Sequence, residues 1–166
     1  NFAFGGPGLA GSPYMEVDRS LFDLIDDNDI RRSVIIDEND SSFDPNYPDV
    51  GGDYGVSDVL IVNKYRGSES RNLMNDLKIF RSSEMLFIAA EAHVALGNLD
   101  EAEDLIEQLL DIRIDDIEDD GDDDDDNDID NFAANVEFSN ATEGYQTILE
   151  QRRIELAFEG HRWKDI

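Results

Sequence analysis

Between Ser82 and Arg113 apolar side chains recur at helical spacing on both sides of a single Gly-Asn break, and this pattern constrains the chain more than any other feature. Met85, Ile88, Ala89, Ala92, Ala95 and Leu96 form the first series, and Gly97-Asn98 supplies the left-handed turn that ends a helix. Asp100 is placed to accept from the amide of Glu103 while Glu103 reaches back, with Leu99 as a hydrophobic staple. A second helix then carries Ala102, Leu105, Ile106, Leu109 and Leu110 on one face, which needs a partner surface about as long as itself. So short a turn makes the two helices antiparallel neighbours. A third helix is expected from Thr142 to Glu159, with Tyr145, Ile148, Leu149 and Leu156 on one face and Gly160 as its stop.

The first eighty residues read differently. Gly5-Gly6-Pro7-Gly8 and Gly11-Ser12-Pro13 are turn formers in an extended loop, and Asp44-Pro45-Asn46 and Gly51-Gly52 punctuate a second loop from Asn39 to Gly55. Between them we expect a short helical turn at Ser20 to Ile25 and a brief strand at Ser33 to Ile36. The β-branched run Val56 to Val62 predicts another strand, leading into Asn63-Lys64-Tyr65.

Charge excludes whole classes of partner. Acids outnumber bases 41 to 13, a formal charge of −28, and such a field repels phosphate backbones and anionic lipid head groups, so nucleic acid is not an expected partner. Of the acids, 27 are Asp, and only Lys64, Lys78 and Lys164 are Lys, a bias that fits a halophilic surface or a Ca²⁺-rich setting. Residues 115–130 hold 12 acids and no base, a solvated insertion unless cations neutralise it. Within it Asp122, Asp124, Asp126 and Asp128 are weak Ca²⁺ candidates, because the glycine and distal bidentate Glu of an EF-hand loop are missing. The chain has no cysteine, which removes disulfides and thiolate metal sites. It lacks an initiator Met and a signal peptide, so we expect it to start inside a longer precursor and to continue past Ile166.

Several stretches carry family information. Ala90-Glu91-Ala92 through Leu96-Gly97-Asn98 to Glu101-Ala102 looks like one tetratricopeptide unit, although an ordinary αα-hairpin would read the same. Downstream, Glu150-Gln151-Arg152-Arg153-Ile154-Glu155-Leu156-Ala157-Phe158-Glu159-Gly160-His161-Arg162-Trp163-Lys164-Asp165 places Arg152, Glu155 and Glu159 on neighbouring turns, where guanidiniums and carboxylates can pair. This segment resembles the signature near the end of SusD/RagB proteins, roughly E-R-R-x-E-L-A-F-E-G-x-R-W-x-D-L, and departs from it at Gln151 and Ile166. Ser83 to Ala92 resembles the family's R-x-x-E-x-x-L-x-x-A-E-A helix, with Arg81 and Glu84 as the expected pair. Asp29-Ile30-Arg31-Arg32 resembles its D-x-R-R element, and Val62-Asn63-Lys64-Tyr65 its K-Y strand end. The four matches follow the family order.

The resemblance implies a mainly α, SusD-like fold of tetratricopeptide-like helical hairpins packed with an irregular loop-rich region and short strands. One C-terminal region would cover residues 1–166, loop-rich over 1–80 and helical over 81–166 with the acidic insertion inside. The implied protein is a non-catalytic, lipid-anchored outer-membrane subunit, exposed at the cell surface. It would sit on a TonB-dependent (SusC-like) transporter barrel and capture a glycan or oligosaccharide, with the lipid-bearing Cys of the family outside this chain. Arg31, Arg32, Glu84, Glu91, Arg152, Arg153, Glu155, Glu159, Arg162, Trp163 and Asp165 are read as structural.

Sugar binding uses an aromatic platform for the ring face and polar groups for hydroxyls. Tyr14, Phe43, Tyr47 and Tyr54, with Asn39, Asp44 and Asn46 nearby, are the loop residues that could supply it, although the same aromatics could simply pin loops onto helices. Catalysis finds little support. His93 and His161 have no nucleophile signature beside them, and abundant carboxylates are not a placed acid and base. A tetratricopeptide-like scaffold for a protein partner is the main alternative, and a carboxylate hydrolase the more distant one.

Overall fold

The computed structural model describes residues 16–39, 41, 59–65, 78–114 and 136–165. The chain divides into two compact units, one formed by Asn1–Ile25 with Arg31–Lys78, the other by Asp26–Ile30 with Ile79–Ile166. Its described regular structure is mainly helical, without a sheet, as the SusD-like reading requires.

In the first unit, α1 (Arg19–Phe22) starts at Asp18, whose carboxylate accepts from the Ser20 amide at 3.0 Å, and α2 spans Arg31–Ile35. The Arg32 guanidinium lies 4.3 Å and that of Arg19 5.1 Å from the Phe22 ring centre. Short extended pieces complete the unit. Glu16 bridges Ile61 and Ile36 bridges Val62, and the Val17 amide reaches the Leu60 carbonyl at 2.8 Å. Val17, Leu21, Phe22, Ile25, Ile35, Ile36, Leu60, Ile61 and Val62 are buried there.

The expected strand at Ser33 to Ile36 is mostly helix. The Ile36 amide closes a turn onto the Arg32 carbonyl at 2.8 Å, which lets Ile35 enter the core while Arg32 stacks on Phe22, so tertiary packing overrides the β preference of Val34 and Ile35. The strand expected at Val56 to Val62 is represented, among the described residues, by bridged positions, and Lys64-Tyr65 form a turn with Tyr65 at φ 69°.

The second unit is a three-helix assembly of α3 (Ser82–Leu96), α4 (Leu99–Leu110) and α5 (Ala141–Glu155), followed by a 3₁₀ turn at His161–Lys164. Gly97, at φ 80°, ends α3 as expected, with its amide on the Val94 carbonyl and that of Asn98 on His93, so α4 folds straight back. Phe87, Ala90, Val94, Ala102, Ile106, Leu109, Leu110, Phe138, Ile148 and Leu156 make one core. The face read for α4 is the buried one, with Leu105 partly covered.

Three local expectations need correction. The stripe read on α3 is the wrong one, for Phe87, Ala90 and Val94 face the core while Met85 and Ile88 are half exposed and Leu96 is 75% exposed. The capping box at Asp100 does not form: α4 begins at Leu99 behind Asn98, two residues earlier than a cap at Asp100 implies, and Glu103 instead accepts from the Phe138 amide. Finally, α5 stops at Glu155 rather than at Gly160. Phe158 takes φ 63°, and Gly160 at φ 82° opens the 3₁₀ turn.

Entry into α5 is well specified. Asn140 accepts from the amides of Thr142 and Glu143 at 3.0 and 3.1 Å, and Glu143 accepts from Ser139 at 2.9 Å. Gly144 lies where an added Cβ would come within 3.1 Å of both Phe138 and Val94, so its small size allows α5 to approach α3 closely. From α4, Glu107 accepts the Val136 amide at 3.2 Å and, with Glu103, secures the segment that enters α5.

Candidate functional site

The described residues with the densest chemistry lie where the ends of α4 and α5 meet the start of α3. Glu155 is the last residue of α5, and its side chain is 1% exposed. A carboxylate so buried must be neutralised and hydrogen-bonded. Arg113, just beyond α4, grips it through Nε and Nη2 at 3.0 Å each, and Arg81, just before α3, donates from Nη2 to the same Oε1. Arg81 Nη1 also reaches the Glu155 carbonyl at 2.9 Å and Glu159 at 2.6 Å. Two guanidiniums thus clamp two carboxylates and fix all three helices in register.

Hydrogen bonding to Glu155 raises Arg113 above the ordinary guanidinium value, against the lowering effect of burial, with the charges of Glu155 and Asp29 adding to the rise. Backbone bonds brace the same corner, since the Ile30 amide reaches the Arg113 carbonyl at 2.8 Å and Asp29 bridges Ile114.

A second cluster sits further along α3. Arg152 contacts Glu91 at 2.5 Å and Asp165 at 3.1 Å, while its guanidinium lies 5.8 Å from the Phe87 ring centre. His161 Nδ1 stands 3.5 Å from Glu84.

The network expected from the terminal signature therefore exists, but it is split. Glu155 and Glu159 turn to Arg81, and Arg152 turns away to Glu91 and Asp165. The pair expected between Arg81 and Glu84 is not made, because Arg81 precedes α3 and extends toward the end of α5, leaving Glu84 to face His161. Arg153 is half-buried on α5, whereas Arg162 is exposed and Trp163 is 88% exposed, so neither Arg162 nor Trp163 joins the buried clusters. Arg31 is buried and Arg32 stacks on Phe22 in the other unit.

Sequence reasoning missed Arg113. A signal was available, because Arg113 is the one Lys or Arg between Arg81 and Arg152 in a strongly acidic stretch, and a lone base there has a carboxylate to answer. The loop candidates Tyr14, Phe43, Asn46, Tyr47 and Tyr54, and the Ca²⁺ candidates Asp122, Asp124, Asp126 and Asp128, lie outside the described residues. Asn39 is described, exposed in the turn after α2 with its amide 3.2 Å from Asp37 Oδ1. Among the described residues no group of three His, Asp or Glu side chains is placed to hold a metal ion.

Chemically, the Arg81–Glu155–Arg113 corner is a brace. Both oxygens of Glu155 already accept from guanidinium donors, which leaves the carboxylate poorly placed to exchange protons with a substrate.

Comparison with known proteins agrees with this anatomy. The family model described as SusD family matches residues 32–166, the span that holds every residue of both charge clusters. The SusD-like protein P38 of Formosa agariphila is 29% identical over 109 residues, covering 64% of this chain and 20% of that protein. The chain thus spans about a fifth of the length of this curated relative. No solved structure matches it.

Proposed function

Because the chain belongs to the SusD family, we propose that it is part of a non-catalytic, cell-surface subunit that captures a glycan or oligosaccharide for an outer-membrane uptake complex. In this reading the two charge clusters are the frame. The loops of the first eighty residues carry the capture surface, with Tyr14, Phe43, Tyr47 and Tyr54 as ring platforms and Asn46 as a hydroxyl partner. The partner is a TonB-dependent (SusC-like) barrel, and the protein is held at the outer membrane by an N-terminal lipid. Capture of this kind needs no cofactor.

The observation that carries the reading is the saturation of Glu155. The most deeply buried carboxylate of the family signature is held between Arg81 and Arg113, which suits a scaffold better than a reaction centre. Calorimetry against a panel of polysaccharides, with the same mixtures analysed for cleavage products, tests it. Binding without products is expected, and product formation would sink the proposal. The half-exposed Met85 and Ile88 and the exposed Leu96 favour a second reading, a tetratricopeptide-like scaffold for a protein partner. Co-purification with another protein, without binding to any sugar, is its signature.

We further propose that the acidic coat is an adaptation to salt, with residues 115–130 a solvated insertion rather than a Ca²⁺ site. Screening relieves carboxylate repulsion, so the unfolding midpoint should rise from low to molar NaCl. A flat or falling trend counts against it.

A further inference from the structure

Three exposed aromatic rings gather where α3 begins. Phe80 is 83% exposed, Trp163 88% and Phe158 36%, and none belongs to the core. Polar contacts bring their segments together. Arg81, next to Phe80, bonds Glu159, next to Phe158, at 2.6 Å. His161, two residues before Trp163, stands 3.5 Å from Glu84 in the first turn of α3. Phe158 itself sits at φ 63°, a left-handed conformation that a bulky residue keeps only when its surroundings enforce it, and outliers of this kind cluster at binding and catalytic sites.

Hydrogen-bonding capacity is left over at the same end of α3. Arg81 occupies the cap position and has no acceptor to offer, so the first-turn amides go without a side-chain cap. Ser83 is 3% exposed and its Oγ has no hydrogen-bond partner, while Ser82 and Arg162 are exposed. Rings that alternate with donors and acceptors suit a sugar, which has an apolar face and a polar rim. A partner helix would instead need an unbroken apolar row, and here Arg81, Glu84, Glu159 and His161 interleave with the rings along the chain. Charge narrows the sugar further. Glu84 and Glu159 lie at this end, and a chain of charge −28 repels uronates and sulfated rings.

We propose that Phe80, Phe158 and Trp163 form a second sugar-binding surface at the start of α3, which stacks an uncharged ring of a glycan while Ser82 and Arg162 meet its hydroxyls. The inference rests on the capture reading above and gives the helical frame a contact of its own, apart from the loops.

Trp163 is the only tryptophan, so its emission reports on this surface and on no other. In the intact chain at about 0.1 M NaCl, where the Debye length is still about 10 Å, acrylamide quenching of Trp163 is measured with uncharged hexasaccharides of glucose, xylose, mannose and galactose, and with a hexagalacturonide. At least one uncharged sugar should shield Trp163, and the galacturonide should not. Phe80→Ala, at an exposed position, should keep the far-UV helical signal and raise the sugar concentration for half shielding about two- to tenfold, the yield of one aromatic contact. Shielding as strong with the galacturonide, or unchanged in Phe80→Ala, would overturn the proposal. Calorimetry on the same mixtures separates it from the capture reading. Heat of binding with Trp163 unshielded would overturn this surface alone, whereas neither heat nor shielding from any sugar would overturn capture as well.

Discussion

Helices α3 and α4 share one turn and one core, yet their surfaces are built on different rules. Along α4, after Leu99, every position outside one stripe is polar and all but Gln108 are charged, so Ala102, Ile106 and Leu109 can bury and nothing competes with them. α3 is apolar around most of its circumference. Phe87, Ala90 and Val94 bury, while Met85, Ile88 and Leu96 lie along the opposite side and face outward. A helix with one apolar stripe declares its orientation, whereas one with two leaves the choice to its neighbours. Here the neighbours decide by volume, for Val94 packs at the close approach that Gly144 permits.

The sharpest way to break this comparison is to remove the largest buried side chain of α3. Phe87→Ala should cost about 3–5 kcal/mol in urea unfolding of the 166-residue chain, by lost transfer energy and the cavity left behind. A loss below about 1 kcal/mol would mean that α3 is turned and its other stripe is the core face. Gly144→Val tests the volume argument. The added branches must displace Phe138 or Val94, both 3.1 Å from the first added carbon, and should cost about 1–3 kcal/mol by the same assay. Smallest of all, Ile88→Gln should stay within about 0.5 kcal/mol of the parent, since its site is half exposed. A penalty approaching that of Phe87→Ala would show the outward stripe to be covered.

How much could be read in advance follows from the same contrast. The α4 face, the glycine turn at Gly97 and the presence of α5 were legible, because each is written in local pattern: one apolar stripe, one left-handed residue, one strong period. The orientation of α3 was hidden by its double stripe. The false capping box arose because Asp100 and Glu103 have suitable chemistry at suitable spacing. The tight turn nevertheless starts α4 at Leu99, and Glu103 finds the Phe138 amide from 35 residues away, a partner no local window contains. The same holds at the charge clusters. The terminal signature announced that Arg152, Glu155 and Glu159 would pair, but Arg113 enters only when α4 brings its end beside that of α5. The end of α5 was missed because Gly160 is a credible stop, whereas the actual break comes where Glu155 and Glu159 turn together to Arg81 and Phe158 adopts φ 63°.

One small arrangement bears on what the three helices tolerate between them. Ile114 is pinned by its bridge to Asp29, and Val136 and Phe138 by the carboxylates of Glu107 and Glu103, so the chain leaves α4 and re-enters toward α5 through two anchored gateposts. The cost of closing a connection between two fixed ends rises by only about 0.6 kcal/mol for each doubling of its length, so with both posts held in place a change in the number of residues between them bears little on the register of the helices on either side.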